Sequence, residues 1–227
     1  MKRGRRSGLT VALGLFVGVG SLVVAAPCAD ASVIFTLGNN AQSDEQNILL
    51  GSSQTGTTIT GTASQSLTPV QFTSTQTLST GGMGQAFLEP AAPGALLTNF
   101  IFSVPGFTFG DFIFNPMIGG QPGGGGGTVN LIAVANDGSF PFSYVLGNGN
   151  NFLTITTSGG ETLSSLALNV TGTGTVGFNQ LQQPRISGLS QAGVPVLQQQ
   201  VPEPASLSIL GVALAGLGLL CRRRRQI

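Results

Sequence analysis

Between residues 32 and 200 only seven side chains are ionised: the carboxylates of Asp44, Glu45, Glu89, Asp111, Asp137 and Glu161, and the guanidinium of Arg185. Two carboxylates flanking a sugar suffice for glycoside hydrolysis. Only Asp44 and Glu45 adjoin in sequence, and neighbours on a strand or loop point in different directions. Solvated surface acids and turn formers are the plainer reading, so the expectation is a protein that is not an enzyme, with a glycosidase-like activity as the last alternative. The chain has no histidine, and Cys28 and Cys221 sit at its two ends. Ser-His-Asp and Cys-His chemistry and His/Cys zinc sites are therefore excluded from the body. Calcium would draw on Asn136, Asp137 or Asp111, yet no run has the spaced D-x-[DN]-x-[DN]-G form. The expectation is no metal and no cofactor.

Arg185, the one cation of the body, is expected to pair with a carboxylate such as Glu161 or to cap backbone carbonyls, with ligand binding as the alternative. Phe107, Phe109, Phe112 and Phe114 could form an aromatic platform for a sugar. With no tryptophan and Tyr144 the one tyrosine, core filling is the expected role.

The elements that position these residues follow from patterning. Residues 32–200 are rich in Thr, Ser, Asn, Gln, Gly and β-branched or aromatic residues, which suits pleated sheet joined by turns. Period-two alternation marks core-facing strands: Phe100, Phe102 and Val104; Leu153 and Ile155; Leu166, Leu168 and Val170. From Gly127 to Val170 four strands follow one another, with turns at Asn136-Asp137-Gly138, at Gly147 to Asn151 and at Ser158-Gly159-Gly160. The predicted fold is all-β, an antiparallel β-sandwich or jelly-roll-like body over 32–189. "GGQPGGGGGT" reads as a flexible loop, and the Thr/Ser/Gln-rich stretch before residue 80 as edge strands and long loops of the same domain. Residues 190–200, with Gly, Pro and a Gln run, read as a linker.

The two ends carry most of the charge. Of nine basic residues, four precede residue 7 and four are Arg222 to Arg225, so six acids against Arg185 leave the body at about −5. That balance excludes a basic nucleic-acid-binding surface. Lys2, Arg3, Arg5 and Arg6, then an apolar stretch from Leu9 to Ala26, then Ala29-Asp30-Ala31 form a secretory signal peptide over 1–31, with Ala29 and Ala31 as the signal peptidase site. An uncleaved anchor is the alternative.

The other end reads "VPEPASLSILGVALAGLGLLCRRRRQI". Ala205 to Cys221 predicts a transmembrane helix about 25 Å long, with Arg222, Arg223, Arg224 and Arg225 as a stop-transfer cluster on the cytoplasmic side. Val201, Pro202, Glu203 and Pro204, the apolar run and the arginines together resemble the PEP-CTERM sorting signal, here over 201–227. The resemblance implies a Gram-negative bacterium and an exosortase partner that cuts near Pro-Glu-Pro. It implies a transient single-pass state with the C-terminus inside, after export across the inner membrane, and then release to the cell surface or extracellular matrix. It also links the chain to exopolysaccharide and biofilm. Prolines on both sides of Glu203 keep that backbone extended, as a protease subsite requires. "GFNQLQQPRISGL" resembles a closing strand of such secreted bodies. The expected role of the body is structural or adhesive, with carbohydrate binding as the alternative.

Overall fold

The computed structural model describes residues 32–51, 53–81, 87–118 and 125–193. All regular structure among them is strand. In chain order these are β1 (Ser32–Leu37), β2 (Gln46–Leu50), β3 (Thr55–Ala63), β4 (Pro69–Gly81), β5 (Phe87–Pro90), β6 (Asn99–Ser103) and β7 (Phe107–Thr108). They continue with β8 (Asp111–Met117), β9 (Thr128–Ala135), β10 (Gly138–Val145), β11 (Leu153–Ser158), β12 (Leu163–Thr171), β13 (Gln180–Ser187) and β14 (Ser190–Gln191).

Twelve strands join in one antiparallel sheet ordered β1-β11-β8-β13-β2-β3-β4-β6-β12-β9-β10, with β5 bonded to both β13 and β4. Strands distant in that order touch through their side chains. Phe102 on β6 stacks on Phe112 of β8 at 4.2 Å between ring centroids, and Phe100 meets Phe114 edge-on at 6.0 Å. The sheet is therefore folded over, and the apolar alternation of its two halves closes on one core of Phe, Leu, Ile and Val. Phe35 of β1 and Phe142 of β10, on the two end strands, stack at 4.7 Å with rings 2° from parallel.

β4 changes partners along its length. Its first part pairs with β3 and β6, its last four residues with β5, and its partner on β3 jumps from Leu78 at Gly56 to Thr73 at Thr58. Side chains bond the backbone in the gap: Ser74 Oγ donates to Asn99 O at 2.7 Å, the Thr75 N–H to Asn99 Oδ1 at 3.0 Å, and the Thr98 N–H to Gln76 Oε1 at 2.7 Å. Such substitution keeps buried backbone groups satisfied where a ladder is interrupted.

The strands predicted by alternation are present as β6, β11 and β12, with their named apolar residues buried. Phe109, Phe112 and Phe114 are fully buried and Phe107 packs at the core margin, so they fill the interior. Other expectations are corrected. The stretch before residue 80 supplies β2, β3 and β4, which lie in the middle of the strand order, because Ile48, Ile59, Val70, Phe72 and Leu78 are core residues. The four strands expected after Gly127 are present in sequence as β9, β10, β11 and β12. β9 and β10 form a hairpin, but β11 pairs with β1 and β8, and β12 returns to β9 and β6. Of the turn Asn136-Asp137-Gly138 that joins β9 to β10, Gly138 takes φ 157° and the other two residues have no positive φ.

The glycine run is not free at its end. Gly126 and Gly177 exchange backbone hydrogen bonds at 2.9 and 3.0 Å, and a Cβ on Gly125 would stand 2.0 Å from the Gly177 carbonyl oxygen. Here glycine permits close approach of two backbones; residues 119–124 lie outside the described residues. Ser190 and Gln191, expected to begin the linker, pair with Thr108 and Phe107, so the bonded fold runs beyond 189. The strand expected in "GFNQLQQPRISGL" is present as β13, which sits inside the sheet, bonded to β8, β2 and β5.

Candidate functional site

Gln183-Pro184 interrupts the β13 ladder. Proline has no N–H to donate, and the strand accommodates it with a bulge: Gln183 takes φ 50°, and the register with β8 shifts between Gln182 and Arg185. The bulge aims Arg185 at the segment joining β1 to β2. Its Nη1 lies 2.5 Å from Glu45 Oε1, and its Nη2 donates to Asn39 Oδ1. Glu45 Oε2 accepts the Gln42 N–H at 3.0 Å. Glu161, the expected partner of Arg185, is engaged elsewhere. Arg185 and Glu45 are mostly buried and hold residues 39–45 against β13.

The structure brings together two acids that lie far apart in sequence. Asp137 caps the β9–β10 hairpin, and Glu161 lies in the connection from β11 to β12. Leu163 pairs with Ala135, which brings the two together. Glu161 is 3% exposed; its Oε1 accepts the Asn136 N–H at 2.9 Å, and its Oε2 is buried without a donor. Asn136 Oδ1 in turn accepts the Thr162 N–H at 2.7 Å. Burial above all, and then the Asp137 carboxyl beside it, raise the Glu161 pKa; the N–H groups of Asn136 and Asp137 pull the other way without cancelling this. A spacing of this length carries no local signal, so sequence reasoning, which found only Asp44 and Glu45 adjacent, missed the pair.

The remaining acids are dispersed. Asp111 Oδ2 accepts from Ser187 Oγ at 2.5 Å, and Glu89 Oε2 from Gln180 Nε2 at 2.8 Å. Among the described residues no group of three or more His, Cys, Asp or Glu could hold a metal ion.

Few strands carry charge: among the described residues the charged side chains on strands are Glu89 on β5, Asp111 on β8 and Arg185 on β13. β3, β4, β6, β12, β9 and β10 contain no Asp, Glu, Lys or Arg. Their outward positions align in rows. One runs Thr58, Thr73, Ile101, Ala167, Ile132, Pro141; the row beside it runs Asn99, Asn169, Asn130, Ser143. Ile101 and Ile132 are 49% and 46% exposed. Asn130 Nδ2 donates to Thr171 Oγ1 at 2.8 Å, and Ser143 Oγ to Asn130 Oδ1 at 3.0 Å. Period-two alternation shows that half of each strand faces outward; it does not show that these six strands are neighbours.

The residues expected to direct sorting lie at the ends. Ala29 and Ala31 of the signal peptide, Val201, Pro202, Glu203 and Pro204, the helix over 205–221 and Arg222 to Arg225 all fall outside the described residues. Among the described residues no helix is long and apolar enough to cross a membrane. Comparison with protein families matches residues 200–225 to the PEP-CTERM protein-sorting motif. The chain carries a PEP-CTERM motif. The motif covers Pro202, Glu203, Pro204, the apolar run and all four terminal arginines, and it marks the chain as a substrate of exosortase-dependent sorting. No curated protein and no solved structure matches the chain. The PEP-CTERM motif thus speaks for the destination of the protein, and the residues of the body must speak for themselves.

Proposed function

We propose that this is a secreted protein, sorted by an exosortase to the cell surface or extracellular matrix, whose body is a β-sandwich with a structural or adhesive role. The observation that carries the reading is the PEP-CTERM motif at residues 200–225. The apolar run halts the chain in the bilayer, the arginines stay on the cytoplasmic side, and Pro202-Glu203-Pro204 offers an extended segment for cleavage. The membrane-spanning state is then transient, and Ala29-Asp30-Ala31 is where the signal peptide leaves. The sandwich reading draws on the aromatic contacts between distant strands and on β1 and β10 meeting by ring stacking.

Mass spectrometry of the surface-exposed protein tests this. A C-terminus near residues 201–204 is expected, and recovery of a chain intact through Ile227 overturns the processing. Replacing Glu203 with alanine is expected to leave the protein in the membrane fraction.

A second reading, carbohydrate binding by the body, is favoured by the charge-free layer with its rows of Asn, Ser and Thr.

A further inference from the structure

We infer that the body stands on the membrane by one end: while the chain is anchored, the end where β1 begins and β14 finishes faces the bilayer, and the opposite end is presented outward. The inference rests on the membrane-spanning state proposed above and adds the surface of the body that meets lipid.

The first and last strands converge on that end. Ser32 opens β1 opposite Ser158, hydroxyl to hydroxyl at 2.7 Å, and Val33 pairs with Thr157. A Cβ on Gly110 would lie 3.5 Å from both Thr157 Oγ1 and Gly188 Cα, and the Gly110 N–H donates to Ser187 O at 3.0 Å. β14 leaves from there: Ser190 pairs with Thr108, and the Ala192 N–H donates to Gly106 O at 3.0 Å. β12 runs from this end, where Leu163 bonds Phe109 beside β7, to the opposite one, where Thr171 pairs with Thr128. Thr128 pairs there with Val145 as well, and the loop Gly147 to Asn151 leads on to Leu153, opposite Leu37.

Reach decides the orientation. The apolar stretch before β1 ends at Ala26, six residues from Ser32, and the one after β14 starts at Ala205, twelve residues from Gly193. Those connections extend at most about 20 and 40 Å. The nine residues of β12 span about 30 Å of the body. An inverted body would hold Gly193 about 30 Å above the lipid, which only a nearly extended chain reaches, at a cost in conformational entropy. Ser32 would be out of reach altogether while the signal peptide is in place. The surface offers no competing pull. Exposed apolar side chains stand at both ends, Leu67 at one and Leu37 and Val145 at the other. Arg185, the one cation among the described residues, is held by Glu45, so no basic patch draws either end to anionic headgroups.

Energy transfer to the bilayer tests the inference. The chain is taken uncleaved from membranes of cells without exosortase, carrying Cys28→Ser and Cys221→Ser, and reconstituted into vesicles with acceptor-labelled headgroups. A donor is attached through Gln65→Cys or Thr173→Cys, both exposed. Gln65 lies in the β3–β4 turn, where its N–H donates to Gln46 Oε1, and Gln46 pairs with Ile186 beside Ser187, at the lipid-facing end. Thr173 follows β12 at the other. Transfer from position 65 is expected to exceed that from 173 by about twofold or more, given the ~30 Å between them. Inserting about thirty Gly/Ser residues after Gln200 is expected to bring the two together. Equal transfer, or more from 173, overturns the inference and leaves the membrane span standing. A difference that survives the insertion overturns attachment as its cause. A chain that does not float with the vesicles overturns the membrane-spanning reading and the inference with it.

Discussion

Arg185 and Glu45, 140 positions apart in the chain, meet at 2.5 Å between Nη1 and Oε1, and with Asn39 they fasten the segment between β1 and β2 onto β13. The pair is mostly buried, so removing one partner leaves the other without compensation. Arg185→Ala is expected to destabilise the body by about 2 kcal/mol, and Glu45→Ala by a similar amount. Chemical denaturation of the two single variants and the double variant checks this. If the double variant loses as much as the sum of the singles, the two residues do not act as a pair.

Glu161 predicts a pH dependence with a defined sign. Its folded-state pKa is raised above the ordinary 4.5, so the native state holds a proton that the unfolded chain has released. Its contribution to stability is present at low pH and is lost as pH rises from about 4.5 through the raised pKa. Glu161→Gln keeps a neutral side chain throughout. The variant is expected to match wild type near pH 4 and to be the more stable of the two at pH 8. Thermal melts across that range decide it, and a difference that does not change with pH counts against the mechanism.

Tyr144 carries a hydroxyl that is buried without a hydrogen-bond partner, and burial pushes its pKa upward. Tyr144→Phe removes an unsatisfied polar atom and keeps the ring that packs near Phe142 at 6.0 Å. The expected result is equal or greater stability, by up to about 1 kcal/mol. A fall in melting temperature of several degrees would show that the hydroxyl has a partner in solution.

Gly177 sits at φ 126°, bonded to Gly126, and a Cβ there would lie 2.7 Å from the Leu97 carbonyl oxygen. Gly177→Ala combines backbone strain with a clash against backbone, and a loss of more than about 1 kcal/mol is expected. Gly174, at φ 81° with open space around it, is the comparison: Gly174→Ala carries the strain alone and is expected to cost less.

Alternation at Phe100, Phe102, Leu166 and Leu168 revealed β6 and β12 before any coordinate, because facing in or out is decided locally by the pleat. The same argument failed for Ile48, Ile59 and Val70. Polar Thr, Ser and Gln around them suggested edges, yet they are buried, since a strand in the middle of a sheet can still face water on one side. Arg185 was recognisable as a residue that must find an acid, and six acids were on offer. The choice of Glu45 over Glu161 depended on a bulge at Gln183-Pro184 that re-aims the strand.

By itself, then, the sequence determined the all-β class, the acidic balance of the body and the PEP-CTERM motif, because composition, two-residue periodicity and a contiguous motif are local properties of the chain. Only the tertiary structure decided that Asp137 meets Glu161, that six charge-free strands lie side by side, and that Phe35 closes on Phe142. Each of these is a choice of partner across long loops. The core settles that choice by which folding-over buries the phenylalanines together, and no short stretch of residues encodes it.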